Sequence, residues 1–306
     1  DRQSLPEEAR EEQIIESSNS PFTGMRVLLA EDNVTNQIVG AMMLRNLGCH
    51  VDVAANGREA TQMVEAFPYE MVFMDCEMPE MDGFEATAAI RRRPGAKSRL
   101  PIIAVTAQAM QGDQEYCLLA GMDDYISKPV KQEDFAAALK RWGQERSREQ
   151  KNDVQPYRTE NEKTVRVDTP APSSSPRPSS PTNIPSALNA EVVANLRALG
   201  DATEPSLIRQ IFMSFLNESV ERIGILRISL DGSDTELLRK TAHALRGASG
   251  SVGAQQMADI AQQLEALGKA GSMTGAVVLM EQIEDEFDRV KAEIAALDMH
   301  SEPPIR

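Results

Sequence analysis

Five short apolar runs, each followed by a stretch with helical spacing, constrain the first half of this chain more than any other feature. The runs are MRVLLA (25–30), HVDVA (50–54), MVFM (71–74), PIIAV (101–105) and DYIS (124–127). The segments between and after them, at 34–47, 57–66, 83–93, 109–120 and 131–142, carry apolar residues at helical intervals. Strands that alternate with helices form βαβ units and close into a parallel sheet. The central runs are apolar throughout, as strands covered on both faces are. The expectation for 24–145 is an α/β domain with a doubly wound, five-stranded parallel sheet.

After Trp142 the character changes. Residues 146–186 hold PAPSSSPRPSSPTNIP within a polar stretch, too poor in apolar side chains to build a core, and read as a flexible Pro/Ser-rich linker. From 187 to 298 the pattern is helical only, at 189–199, 205–229, 234–249, 254–268 and 274–297. The breaks carry Gly200, Gly232, the GSVG run at 250–253 and Gly271. Helices joined by such short links predict an antiparallel all-α bundle. Residues 1–23 are acidic and polar and read as an N-terminal linker, and 299–306 as a C-terminal tail. The chain starts with Asp rather than Met, so it is expected to be part of a longer protein.

Charge and composition exclude several function classes. The formal net charge is -15 and no Lys/Arg cluster is dense enough to hold a duplex, so nucleic acid is not an expected partner. Cys49, Cys76 and Cys117 lack metal-ligand spacing and read as reduced thiols of a cytoplasmic protein. No apolar run approaches the ~18 residues needed to cross a bilayer, and no signal peptide is evident. Membrane contact is therefore not expected within these residues, although a parent chain with its own anchor stays open.

The polar residues at the strand ends carry the chemistry. Glu31 and Asp32 end the first strand, Asp75 the third and Thr106 the fourth, while Lys128 follows the fifth. In an open parallel sheet these ends share one edge, where ligands bind. Two carboxylates about 4 Å apart repel by roughly 4 kcal/mol at an effective dielectric of ~20. Any one of these acids, like Asn33, has an ordinary use in capping the next helix. Three carboxylates with a hydroxyl and an ammonium ask for more, and oxygen-only ligation favours Mg2+.

The segments LLAEDNVTNQIV, VFMDCEMPEMDGFEAT, AVTAQAM and DDYISKP resemble the four signature segments of two-component receiver domains, over about residues 24–145. The resemblance implies a flavodoxin-like fold and a set of roles. Asp75 would be the nucleophile that becomes an aspartyl phosphate. Asp32 would hold Mg2+ directly and Glu31 through water, with the backbone carbonyl of Glu77 as a further ligand. Lys128 would pair with phosphoryl oxygens, with a cis bond before Pro129. Thr106 would hydrogen-bond the phosphoryl group, and Tyr125 would turn inward as Thr106 moves. Phosphoryl transfer needs charge neutralisation and in-line positioning, which Mg2+ and Lys128 supply to an Asp75 expected to be ionised at neutral pH.

In the helical half His243 stands out. Leu238, Thr241, Ala242, Leu245 and Ala248 form the apolar stripe of its helix, so His243 is expected to face solvent. Arg239, Lys240, Arg246 and Gly247 are its neighbours one turn away. A glycine inside a helix costs up to about 1 kcal/mol, which makes sense where another protein approaches closely. His50 and His300 have no comparable surroundings. HALRGASGSVGA followed by QQLEALGKAG resembles a histidine-containing phosphotransfer domain, covering about 187–298. That resemblance implies a phosphohistidine at His243, supported by Lys240, Gly247 and Arg246, the last in place of the usual Lys. It also sets Glu265 and Lys269 on the adjacent helix. An imidazole, with a reference pKa near 6.5, is largely neutral and nucleophilic at neutral pH.

The order of receiver, linker and phosphotransfer domain resembles the C-terminal part of a hybrid sensor histidine kinase. No segment resembles an ATP-binding kinase core. The implied partners are an upstream histidine kinase transmitter and a downstream response regulator, with phosphate passing through Asp75 and then His243. Two rivals are a receiver that gates an attached kinase, with the bundle as a docking module, and a metal-dependent phosphatase built on Asp75. Glu77 stands where such phosphatases often carry a second Asp.

Overall fold

Local capping sets the helix starts of the first domain. Asn33 accepts from the backbone N–H of Asn36, Asn56 from that of Glu59, and Asp82 and Glu85 form a reciprocal capping box. The computed structural model describes residues 20–106, 111–149, 186–203 and 206–298. The linker and tail segments expected at 1–23, 146–186 and 299–306 lie almost wholly outside these residues.

The first domain runs β1 (Arg26–Ala30), α1 (Val34–Asn46), β2 (His50–Ala54), α2 (Gly57–Ala66), β3 (Met71–Asp75), α3 (Gly83–Arg91), β4 (Ile102–Thr106), α4 (Gln111–Leu119), β5 (Asp124–Ser127) and α5 (Gln132–Glu149). The sheet order is β2-β1-β3-β4-β5, with every pairing parallel. Alternate residues of each central strand go to opposite faces. Leu28, Val72 and Ile102 pack into one core layer, and Val27, Phe73 and Ile103 into the other. The strand order reverses at β1, and the crevice beyond the C-terminal ends of β1 and β3 is where such sheets bind ligands.

The second domain comprises α6 (Ala190–Thr203), α7 (Ser206–Asp231), α8 (Thr235–Val252), α9 (Gln255–Lys269) and α10 (Ala276–Asp298). Three breaks differ from expectation. α5 continues past Trp142, α6 continues through Gly200, and α8 continues through Gly250 and Ser251. Tertiary packing outweighs glycine's modest helix penalty here. Val252 is fully buried, and only Gly253 takes the left-handed conformation that ends α8, at φ 83°. A Cβ on Gly200 would meet Ile208 at 2.8 Å, so the glycine lets α6 and α7 approach.

α1 joins the two domains. A helix that is apolar on more than one side has to be covered on more than one side. Ala41 and Leu44 belong to the core layer under the sheet, whereas Val39 and Met42 belong to the bundle's own core with Phe212, Phe215 and Leu245. Among the described residues, no helix is long and apolar enough to cross a membrane.

Candidate functional site

The acids at the sheet edge converge. Glu31, Asp32 and Asp75 each present a carboxylate oxygen, and these lie within 4.8 Å of one another. Lys128 bridges two of the acids, with its Nζ 2.6 Å from Asp75 Oδ2 and 2.7 Å from Glu31 Oε2. Glu77 N–H donates to Asp75 Oδ1 at 3.2 Å, and Asn36 Nδ2 donates to Glu31 Oε1 at 2.9 Å. The Lys128–Pro129 peptide bond is cis. Thr106 ends β4, and its carbonyl accepts the Lys128 N–H at 2.7 Å. Tyr125 is half-buried against the core layer that holds Leu28 and Val72.

Charge crowding shows in the protonation of the pocket. Burial pushes the Asp75 carboxyl up to about 7, with Lys128 opposing and Glu31 adding to the rise. Burial and then Glu31 raise Asp32 as well. Burial disfavours the charged Lys128, but Asp75 and Glu31 overcome it and hold the ammonium above its ordinary value. The cause is that Lys128 alone stands beside three carboxylates, so the pocket is short of positive charge.

His243 is not solvent-facing. It is 9% exposed, because α9 covers one side of the imidazole and the loop after β3 covers another. Its Nδ1 lies 3.0 Å from Glu265 Oε1 and 3.8 Å from Glu77 Oε1. The flanking cations are answered by carboxylates. Arg246 pairs with Glu265 at 2.8 Å, Arg239 with Glu77 at 2.7 Å, and Lys240 with Glu236 at 3.4 Å. Lys269 closes α9. The helical period found the apolar stripe of α8 but carried no information about what the neighbouring domain would cover.

Gly247 lies at a close approach: a Cβ there would sit 3.3 Å from Asn36 Nδ2. Ser251 Oγ donates to Asn36 Oδ1 at 2.7 Å. Glu218 of α7 accepts from Asn33 Nδ2 at 2.6 Å and from Thr35 N–H at 3.1 Å, so a bundle carboxylate caps the N-terminus of α1. Sequence reasoning missed Glu218, Asn36, Ser251 and the side-chain role of Glu77. Only Gly247 gave a local signal of the contact. Asp75, Asp32, Glu31 and Lys128 line a cavity of about 230 Å3 together with His243 and Arg246.

Residues 27–140 match the response regulator receiver domain family, and residues 210–293 match the Hpt domain family. The chain carries a receiver domain followed by an Hpt domain, the combination found in phosphorelay components of hybrid histidine kinases. It is homologous to such kinases: it is 27% identical to the aerobic respiration control sensor protein ArcB of Escherichia coli (strain K12) over 82% of this chain. It is also 40% identical to hybrid signal transduction histidine kinase G of Dictyostelium discoideum over 39% of this chain. It spans 29% of the first relative and 4% of the second. Among solved structures it is similar to the receiver domain of sensor histidine kinase PA1611 from Pseudomonas aeruginosa PAO1, crystallised with magnesium in its active site cleft. That match has 46% identity and a TM-score of 0.37, and covers 39% of this chain and 98% of that one. A second similarity is to a chain in the co-crystal structure of Saccharomyces cerevisiae Ypd1 with the receiver domain of Ssk1, at 32% identity and a TM-score of 0.38, covering 41% of this chain and 92% of that one.

Proposed function

We propose that this chain is a two-step phosphoryl carrier: Asp75 accepts the group from an upstream histidine kinase, and His243 then takes it for delivery to a response regulator. The single observation that carries the reading is that Asp75 and His243 line the same cavity. In the reactive tautomer Nδ1–H of His243 donates to Glu265, 3.0 Å away, which leaves Nε2 as the nucleophilic nitrogen. In the transfer Nε2 forms a bond to phosphorus, the bond from phosphorus to the Asp75 oxygen breaks, and the electron pair returns to the carboxylate. Thr106 and Lys128 take phosphoryl oxygens, and Tyr125 follows Thr106 inward as the two-state element. A bundle used only for docking would have no use for a buried His–Glu–Arg arrangement beside Asp75.

Three oxygen donors within 4.8 Å, with too little positive charge among them, fit a hard divalent cation. Asp32 and Asp75 with the Glu77 carbonyl would hold Mg2+, with Glu31 acting through water. When bound, Mg2+ neutralises charge on the phosphoryl oxygens and on the acids. Asp75 keeps its proton up to about 7, so below that pH each cation bound displaces one proton. Mg2+ affinity should rise by up to about tenfold per pH unit toward neutrality and level off above it. Calorimetry in two buffers of different ionisation enthalpy checks this, and an affinity flat across the range with no proton release contradicts it.

The function itself is tested by loading the chain with a small acyl-phosphate donor and Mg2+, then mapping the phosphate by its lability. Base-labile label on Asp75 should convert to base-stable, acid-labile label on His243. The conversion should be first-order and insensitive to dilution, because both sites lie in one chain. Absence of base-stable label removes the relay reading, and conversion that slows on dilution moves the transfer between chains.

A further inference from the structure

The bundle brings three arginines to the receiver's acidic pocket, and one differs from the others. Arg239 and Arg246 are engaged by Glu77 and Glu265. Arg222, on α7, lines the neighbouring cavity with Asp32, Glu77 and His243, and its Nε–H is buried without a hydrogen-bond acceptor. Its placement follows from the helix. Glu218 lies one turn earlier on the same face and is fixed by Asn33 and Thr35 at the start of α1. That anchor points the next turn of α7 at the loop that carries Asp32.

A buried donor left without an acceptor is costly, and such groups call for an explanation. The carboxylates nearby do not supply one: among the described residues none accepts from the Arg222 Nε–H. An anion that enters the space between Asp32 and His243 does. The guanidinium fork matches phosphoryl oxygens in shape and charge.

We propose that Arg222 is a catalytic residue contributed by the Hpt domain, binding phosphoryl oxygens while the group passes from Asp75 to His243. This rests on the relay reading above and adds a residue to it that neither signature motif contains. The transfer step is unchanged in its atoms: nitrogen–phosphorus bond formation at His243 Nε2, cleavage of the Asp75 oxygen–phosphorus bond, and the Nδ1 proton kept on the ring, hydrogen-bonded to Glu265. Arg222 supplies charge to the equatorial oxygens as the negative charge spreads over them. Because the residue belongs to the bundle, it is in place only when the two domains are docked.

The test uses the full chain, loaded with an acyl-phosphate donor and Mg2+, and follows the rate at which base-labile label becomes base-stable. Arg222→Ala should slow this conversion by ~10–100-fold, the usual effect of removing one transition-state donor. Arg222→Lys should recover part of the loss, and guanidinium ion at low millimolar concentration should partly rescue the Ala variant. Conversion by Arg222→Ala at the wild-type rate overturns the proposal. So does an equal loss in Ala and Lys variants without guanidinium rescue, which assigns the residue a packing role. If the wild-type chain forms no base-stable label, the relay reading falls and this inference with it.

Discussion

Asp75→Asn should take up no base-labile phosphate from a small acyl-phosphate donor, a loss of at least about a hundredfold, limited by detection. The amide keeps the shape of the carboxyl but has no anionic oxygen to attack phosphorus. Unfolding does not account for such a loss, and the pH dependence of stability shows why. Burial raises Asp75 from its ordinary 3.8 to about 7, so the folded state binds that proton more tightly than the unfolded chain. The carboxyl's contribution is therefore full below the unfolded value and is lost as pH rises through about 7. Above neutrality and without metal, the wild type carries the repulsion among Glu31, Asp32 and Asp75, and the variant carries less of it. Lys128 keeps Glu31 as a partner at 2.7 Å. The urea midpoint of Asp75→Asn in chelator at about pH 8 should thus be no lower than that of the wild type. Retention of base-labile label by a variant that folds this well would remove Asp75 from the reaction.

His243→Gln has an equally large effect on a different step. Base-labile label should still form on Asp75, base-stable label should be absent, and delivery to a response regulator should fall by at least about a hundredfold. Glutamine is close to imidazole in size, and its amide can donate to Glu265 where Nδ1 does now at 3.0 Å, so the α8–α9 contact survives. The aspartyl phosphate should also persist longer, because its route onto nitrogen is closed. Transfer to a regulator directly from this variant would show that the second domain is not the carrier.

The strands were readable because each central strand is buried on both faces, which leaves an apolar run that no surface segment imitates. The acids were readable because a parallel sheet delivers the ends of its strands to one edge, whatever the side-chain details. His243 was readable as a candidate but not as a buried one. Its own helix predicts an outward face, and the cover comes from Glu265 of α9 and Glu77 of the other domain, both distant in sequence. α1 held a signal that periodicity analysis averages away: Ala41 and Leu44 serve one core while Val39 and Met42 serve another. Glu218 left no local trace, since a carboxylate that caps a helix of another domain looks like any surface acid.

The burial of Val39 and Met42 under the bundle has a consequence for traffic. Fully burying such a side chain is worth about 1.5–3 kcal/mol, so undocking α1 exposes a patch that favours return. The bundle surface that seats α1 is also the surface that presents His243. In the proposed relay, a response regulator that collects the phosphoryl group from His243 would have to stand where the chain's own receiver stands. The covalently attached receiver is thus a resident competitor, at a local concentration that can be on the order of millimolar. A free regulator gains the seat only by mass action or by a better fit to Glu218, Arg239 and Ser251. Substitutions that tighten α1 on the bundle would speed the hand-over inside the chain and delay departure from it, so throughput should peak at intermediate docking strength.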